Sequence, residues 1–403
     1  MSNLIDRRKF VAAMAIAPLA AQAWGAEHLG AKTGAKMDKN PEAKSGERRL
    51  LFVGTQTTPG TSKGIYTYRW DPATGELTEQ ALAAEVEMPT YLTLAPNGRH
   101  LYAANEAEDF HGQHSGGVTA FAVHGAKLTM LNAVVTGGTG TCNVNTDHTG
   151  RAVFCANYNS GSASSFHVED SGKLSEIVSH FQYHGHGPVA DRQEGPHAHR
   201  VTPSPDNRYL YVNDLGLDCI HIYKLDPATA KLTPNDPPLW KSAPASGPRA
   251  LRFHPNGKIA YCVDELDSSV QVLRWHAHNG DFELIQKLSL IPENYTGPTS
   301  TGCDIVVTRD GRHAYAANRG YDCLDSFAVD PATGKLTFLA RTPSGGKVPR
   351  DLALDPTEKF VLVANQVGDT IAVFARDAHT GRLAESGKTF PISRPQCLVF
   401  AGS

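Results

Sequence analysis

Neither sign of charge dominates this sequence. Its 38 Lys and Arg face 41 Asp and Glu, for a net charge of -3. A nucleic-acid binder needs a basic excess to meet phosphates, so nucleic acid is excluded as a partner. Cysteine is scarce, with 7 residues. An odd number cannot form a fully paired intramolecular framework, and the absence of any C-x-x-C removes a zinc ribbon. Most of these cysteines read as small buried residues on strands. Cys142 and Cys155 flank the turn "DHTG" and could face each other across a hairpin. A P-loop motif is missing, and we expect no serine nucleophile elbow. The apolar run near the N-terminus, Val11 to Ala21, is too short and too alanine-rich for a good membrane span.

That run belongs to "DRRKFVAAMAIAPLAAQAWGAE", where Arg7 and Arg8 precede Phe10 and the weak apolar segment. Ala21 and Ala23 supply an A-x-A-like cleavage site. The pattern reads as a twin-arginine export signal over 1–26, which predicts use of the twin-arginine machinery and a periplasmic or secreted mature chain. Residues 27–49 are polar and without periodicity, as in a flexible tether. A single domain is expected over 50–403.

Inside that domain the dominant signal is repetition. A turn of the form D-x-x-T-G-x-L ends at Leu77, Leu232, Leu336 and Leu383, with degenerate copies ending at Leu128, Leu174 and Leu284. A second signal is a turn followed by an apolar strand ending in Asn or Asp. Its copies are "PNGRHLYAAN", "HTGRAVFCAN", "PDNRYLYVND", "PNGKIAYCVD", "RDGRHAYAAN" and "PTEKFVLVAN". A third short strand precedes each of these turns, as in "MPTYLTLAP" and "GPRALRFHP". Each unit of roughly 50 residues thus carries about four strands, too little to bury a core alone. Seven units stacked radially give an all-β, seven-bladed β-propeller of four-stranded antiparallel blades. The first unit lacks its leading strand, which stands at the other end of the chain in "RPQCLVFAGS". The N-terminal strand near Leu51 should therefore join a C-terminal strand near Leu398 and close the ring. A linear solenoid does not explain that split repeat.

In a propeller the innermost strands all start around one mouth of the central channel. Aligning the repeats puts Thr90, Cys142, His199, Arg249, Cys303, Arg350 and Gln396 at that entrance. The longest connection, "GPVADRQEGPHAHR", leads into one of these strands and would hang Arg192, Glu194 and His197 over the same mouth. Long polar insertions on one face of a repeat fold commonly carry function. His184, His186, His197 and His199 form H-x-H pairs that zinc can use. Arginines crowding the same mouth disfavour a divalent cation, so no metal or other cofactor is expected.

The segments "MPTYLTLAPNGRHLYAANE", "GPVADRQEGPHAHRVTPSPDNRYLYVNDLG", "GPRALRFHPNGKIAYCVDEL", "AYAANRGYDCLDSFAVD" and "VPRDLALDP" resemble the seven-bladed propeller lactonase family. That family includes propeller-type 6-phosphogluconolactonases and fungal carboxymuconate-lactonising enzymes. The resemblance spans residues 50 to 400 and implies metal-independent chemistry on a lactone. Its RQE-x-PH-x-H segment falls on Arg192, Gln193, Glu194, His197 and His199. Its GPRH falls on Gly247, Pro248 and Arg249, with Ala250 in the fourth place. Its NRG and PR-D/N segments fall on Arg319 and Arg350, and its P-C-H on Thr141, Cys142 and Asn143. Export points to a sugar lactone without phosphate, such as gluconolactone.

Opening a lactone requires an activated water, a stabilised oxyanion and a proton for the leaving alkoxide. Glu194, His197 or His199 is expected as general base. Arg249, with Arg192 or Arg350, would meet the oxyanion or a carboxylate, and His199 would protonate the leaving oxygen. Arg192, Asn143, Arg319 and Arg350 are the expected substrate contacts, in a monomer that takes a small-molecule lactone. A second reading is a non-catalytic binding propeller; a third, a metal-dependent lactonase, has the seven repeats against it.

Overall fold

A computed structural model describes residues 49–401. The predicted export signal and tether lie outside them, except Arg49, which already begins the first strand, Arg49–Thr55. The described chain forms 28 strands in seven four-stranded antiparallel sheets. Among the described residues no helix is long and apolar enough to cross a membrane.

The fourth sheet shows how the repeat folds. Its strands are Ala198–Pro203, Tyr209–Asp214, Cys219–Asp226 and Lys231–Lys241, in that order from the centre outward. The second strand, Tyr209–Asp214, is buried at every position. Sheets cover both of its faces, which is why such strands read as continuous apolar runs. Outermost strands alternate instead: Leu174–Gln182 exposes every second residue after its buried Leu174. The D-x-x-T turn is an Asx turn. Asp226 accepts from the Ala228 N–H at 3.0 Å and from Thr229 Oγ1 at 2.7 Å.

Apolar side chains fill the spaces between neighbouring sheets. Tyr211 and Ile220 of the fourth blade pack with Leu251, Trp275 and Phe282 of the fifth. A tyrosine on the second strand links this layer to the next blade. Tyr211 donates to the Gly280 carbonyl at 2.8 Å, and Tyr261 to the Gly334 carbonyl at 2.9 Å. Both glycines hold a positive φ inside their copies of the D-x-x-T-G-x-L turn, and a Cβ on Gly334 would come 2.6 Å from Ile259.

Each innermost strand touches those of both neighbouring blades, so the seven form a closed circle about the channel. The circle shuts as the split repeat predicts. Arg49–Thr55 pairs antiparallel with Pro395–Phe400, with Leu51 opposite Phe400 and Val53 opposite Leu398. All seven cysteines are buried and free. Cys155 pairs in register with Val144 rather than facing Cys142, so that expected hairpin partnership is not formed.

Candidate active site

Every innermost strand begins with a break in register. The ladder skips one residue at Thr90, Cys142, His199, Arg249, Arg350 and Gln396, and two at Cys303 and Asp304. These include all seven positions that the repeat alignment puts at the channel entrance. A bulge leaves its residue unpaired and re-aims its side chain. The same geometric device thus recurs around one mouth, with different chemistry in each blade.

A cavity of about 190 Å³ opens there, lined by Glu106, Cys142, Tyr158, Arg192, His199, Glu265, Arg319 and Arg350. Four of these were expected from sequence or family resemblance as functional residues: Arg192, His199, Arg319 and Arg350. Glu106, Tyr158 and Glu265 were missed, although the repeat carries a signal for them. Each directly follows the Asn or Asp that closes a second strand, namely Asn105, Asn157 and Asp264, and Arg319 follows Asn318 in the same way. Two aligned positions therefore line the cavity, one at the start of the first strand and one at the end of the second. Only the first is among the positions expected from the sequence.

Glu265 organises the charge. Its side chain is buried and meets three guanidinium groups. Arg319 Nη2 lies 2.6 Å from Oε2, Arg249 Nε lies 2.9 Å from the same oxygen, and Arg192 Nη2 bonds Oε1. Burial alone would raise this carboxyl, but Arg319, Arg249 and Arg192 outweigh it and hold the group at about 2. Arg249 also donates to the Cys303 carbonyl. It does not line the cavity but braces Glu265 from behind.

His199 is held neutral. Burial and the nearby Arg249, Arg350, Arg200 and Arg319 push its imidazole well below the usual 6.5. Its Nδ1 has no partner among the described residues, and its ring meets Tyr158 edge-on at 5.8 Å. Arg350 is placed differently from the other cavity arginines. Its Nε donates to Gln396 Oε1 at 3.0 Å, and no carboxylate pairs with it among the described residues. Cys142 does not supply a nucleophile. Burial pushes its thiol up, and Sγ donates to the His199 carbonyl at 3.3 Å.

The long connection folds back on itself over this cavity. Gly187 N–H donates to the Gln193 carbonyl at 2.9 Å. Gln193 is fully buried, accepting from Val189 N–H and donating to the Leu215 carbonyl. This anchor carries Arg192 across to Glu265. His197 stacks on Tyr158 at 4.5 Å, with Nδ1 3.0 Å from the Tyr158 carbonyl and Nε2 3.1 Å from Glu194. Glu194 is 60% exposed. Neither Glu194 nor His197 lines the cavity. Asn143 is also elsewhere, its Oδ1 accepting from the Val201 N–H at 3.0 Å and its side chain facing away from this mouth. His184 and His186 are exposed, and among the described residues no group of three His, Cys, Asp or Glu is placed to hold a metal ion. Residues 60–64, "GTSKG", fit the G-x-S-x-G spacing that sequence reading passed over. They join two strands of one hairpin, and Ser62 Oγ donates to the Gln56 carbonyl. A nucleophile elbow requires a strand-to-helix turn instead.

These features can be set beside known proteins. The family model described as "Lactonase, 7-bladed beta-propeller" matches residues 50–400. A 6-phosphogluconolactonase of Bacillus subtilis is 38% identical over 87% of this chain and 97% of its own length. A 6-phosphogluconolactonase of Formosa agariphila is 31% identical over 88% and 97%. The solved structure of a periplasmic gluconolactonase from Pseudomonas aeruginosa superposes with a TM-score of 0.83 at 34% identity, covering 88% of this chain and 99% of that one. With its seven closed blades and this match along the whole described domain, the chain belongs to the seven-bladed β-propeller lactonase family.

Proposed function

We propose that this lactonase opens a non-phosphorylated aldonolactone, of the gluconolactone type, to the aldonic acid in the cavity beneath the long connection. The observation that carries the reading is a neutral, buried imidazole set among arginines of which one, Arg350, has no carboxylate partner among the described residues. A neutral His199 takes a proton from water as the water attacks the lactone carbonyl. The negative charge that develops on the carbonyl oxygen falls beside Arg350 and Arg319. Collapse breaks the ring C–O bond, and the imidazolium returns its proton to the departing alkoxide. One water is consumed, and no group on the protein changes covalently.

Glu265 keeps Arg192, Arg249 and Arg319 in register, and Arg249 acts through it as a positioning residue. Glu194 and His197 act through the Tyr158 stack rather than on the reacting atoms. The absence of phosphate follows from the count of free cations. A phosphate dianion beside the oxyanion would call for a second unpaired guanidinium, and three of the four arginines here share Glu265. The N-terminal twin arginines support export to the periplasm, a compartment shared by the Pseudomonas relative.

The test is acid release from glucono-δ-lactone at mildly acidic pH, where spontaneous opening is slow, with 6-phosphogluconolactone assayed in parallel. A higher kcat/KM on the unphosphorylated ring is expected. Equal or better turnover of the phosphorylated ring would remove the substrate assignment. No turnover above background on either, or on related lactones, would leave a binding propeller.

A further inference from the structure

The innermost strands that start at the catalytic mouth all end at the opposite one. There the structure forms a larger cavity of about 550 Å³, bounded by the first strands of blades two to five and their hairpin turns. The inner-strand positions that face it include Tyr91, Asn143, Asn145, Arg200, Thr202 and Arg252.

Its charge is not balanced. Arg200 and Arg252 both reach a single oxygen, Asp304 Oδ2, at 2.8 and 3.3 Å. The Nε of each guanidinium has no acceptor among the described residues. Arg200 is 96% buried by its 4% exposure, so its unpaired N–H is costly unless something else accepts it. Arg252 is 37% exposed in its side chain and presents its charge to the cavity. The other acid nearby, Asp351, spends Oδ2 on the Leu398 N–H, and burial together with Asp304 raises it to about 7. Asn143 uses its Oδ1 on Val201, which leaves its NH₂ as a further donor. Tyr91 lies under Arg200 at 5.3 Å and fixes that guanidinium in place.

We infer that this opposite mouth is a second binding site, distinct from the lactone site, for a small molecule bearing an oxyanion held between Arg252 and Arg200. Two planar guanidiniums sharing one aspartate suit a phosphate or a carboxylate equally. Pro96, Pro205 and Phe253 on the walls offer apolar surface to the rest of such a ligand.

Isothermal titration of the mature chain with inorganic phosphate, and separately with acetate, tests this. Saturable one-site binding of at least one anion is expected, and the tighter one identifies the ligand's headgroup. Arg252→Gln should weaken it at least tenfold while keeping lactone turnover within about twofold of wild type, since Arg252 lies outside the catalytic cavity. Arg350→Gln should leave it unchanged. Absence of saturable binding by either anion, or binding unaffected by Arg252→Gln, overturns the proposal. Loss of binding in Arg350→Gln does the same, because the anion would then sit at the catalytic mouth. If Arg252→Gln fails to fold, crystals of the unaltered chain soaked in selenate decide: anomalous density beside Arg200 and Arg252 supports the site, and its absence there refutes it.

Discussion

At Glu265 one buried carboxylate meets three guanidiniums, and this balance sets measurable properties of the mouth. Its folded value of about 2 lies below the ordinary 4.5. The depressed value means that Glu265 contributes stability above the unfolded value and loses it as pH falls through the folded one. The contribution is about 3 kcal/mol, lost between roughly pH 4.5 and pH 2. Acid unfolding followed by circular dichroism should show this loss in wild type and not in Glu265→Gln. The same variant leaves three cations without their anion, and kcat should fall by roughly 10²-fold or more. At His199 the prediction concerns the rate profile. With its imidazole held well below 6.5, the acid limb of kcat/KM lies below that value. Arg350→Gln removes one of the cations responsible. It should move the limb upward as well as lowering kcat, and an unmoved limb would separate Arg350 from His199.

Among the strands, the recurring devices are the entrance bulge and the tyrosine latch. The bulge releases one side chain from the ladder in six blades, and two in the blade of Cys303 and Asp304, without ending the strand. It explains how seven nearly identical strands present His, Arg, Cys, Thr and Gln at the same level. The latch joins one blade to the next through a buried hydroxyl. Tyr261→Phe leaves the Gly334 carbonyl without that donor while keeping the ring's packing. A loss of about 1–2 kcal/mol is expected in urea unfolding, with lactone turnover little changed because the latch is remote from the cavity lining.

For the whole molecule, closure is the governing feature. The N-terminal strand completes a sheet whose innermost strand comes from the C-terminus. Deleting residues 395–403 would strip the inner edge of the first blade and expose backbone groups of Arg49–Thr55. The truncated chain should collect in the insoluble fraction, whereas a soluble product with unchanged Tm would show closure to be dispensable. No disulfide takes part in this closure, since all seven cysteines are free and buried. A reductant should therefore leave Tm where it is, and a fall in Tm would reveal a disulfide.

The sequence alone determined the architecture, because a repeat writes the same physical instruction seven times. Turn chemistry at Asp226, burial on both faces of Tyr209–Asp214 and the displaced strand near Leu398 are each local signals, and repetition makes them add. Alignment of the repeats also put His199 and Arg350 at one mouth, and the family resemblance brought in Arg192 and Arg319. Tertiary structure alone decided which charges meet. Glu265 lies far from Arg192 and Arg319 in the chain, and no periodicity in the sequence says that these side chains reach the same carboxylate. Asn143 shows the limit from the other side. It neighbours Cys142 in sequence, yet strand alternation past the bulge turns it toward the opposite mouth. Pairing of charges depends on distances across the channel, and those exist only once the ring has closed.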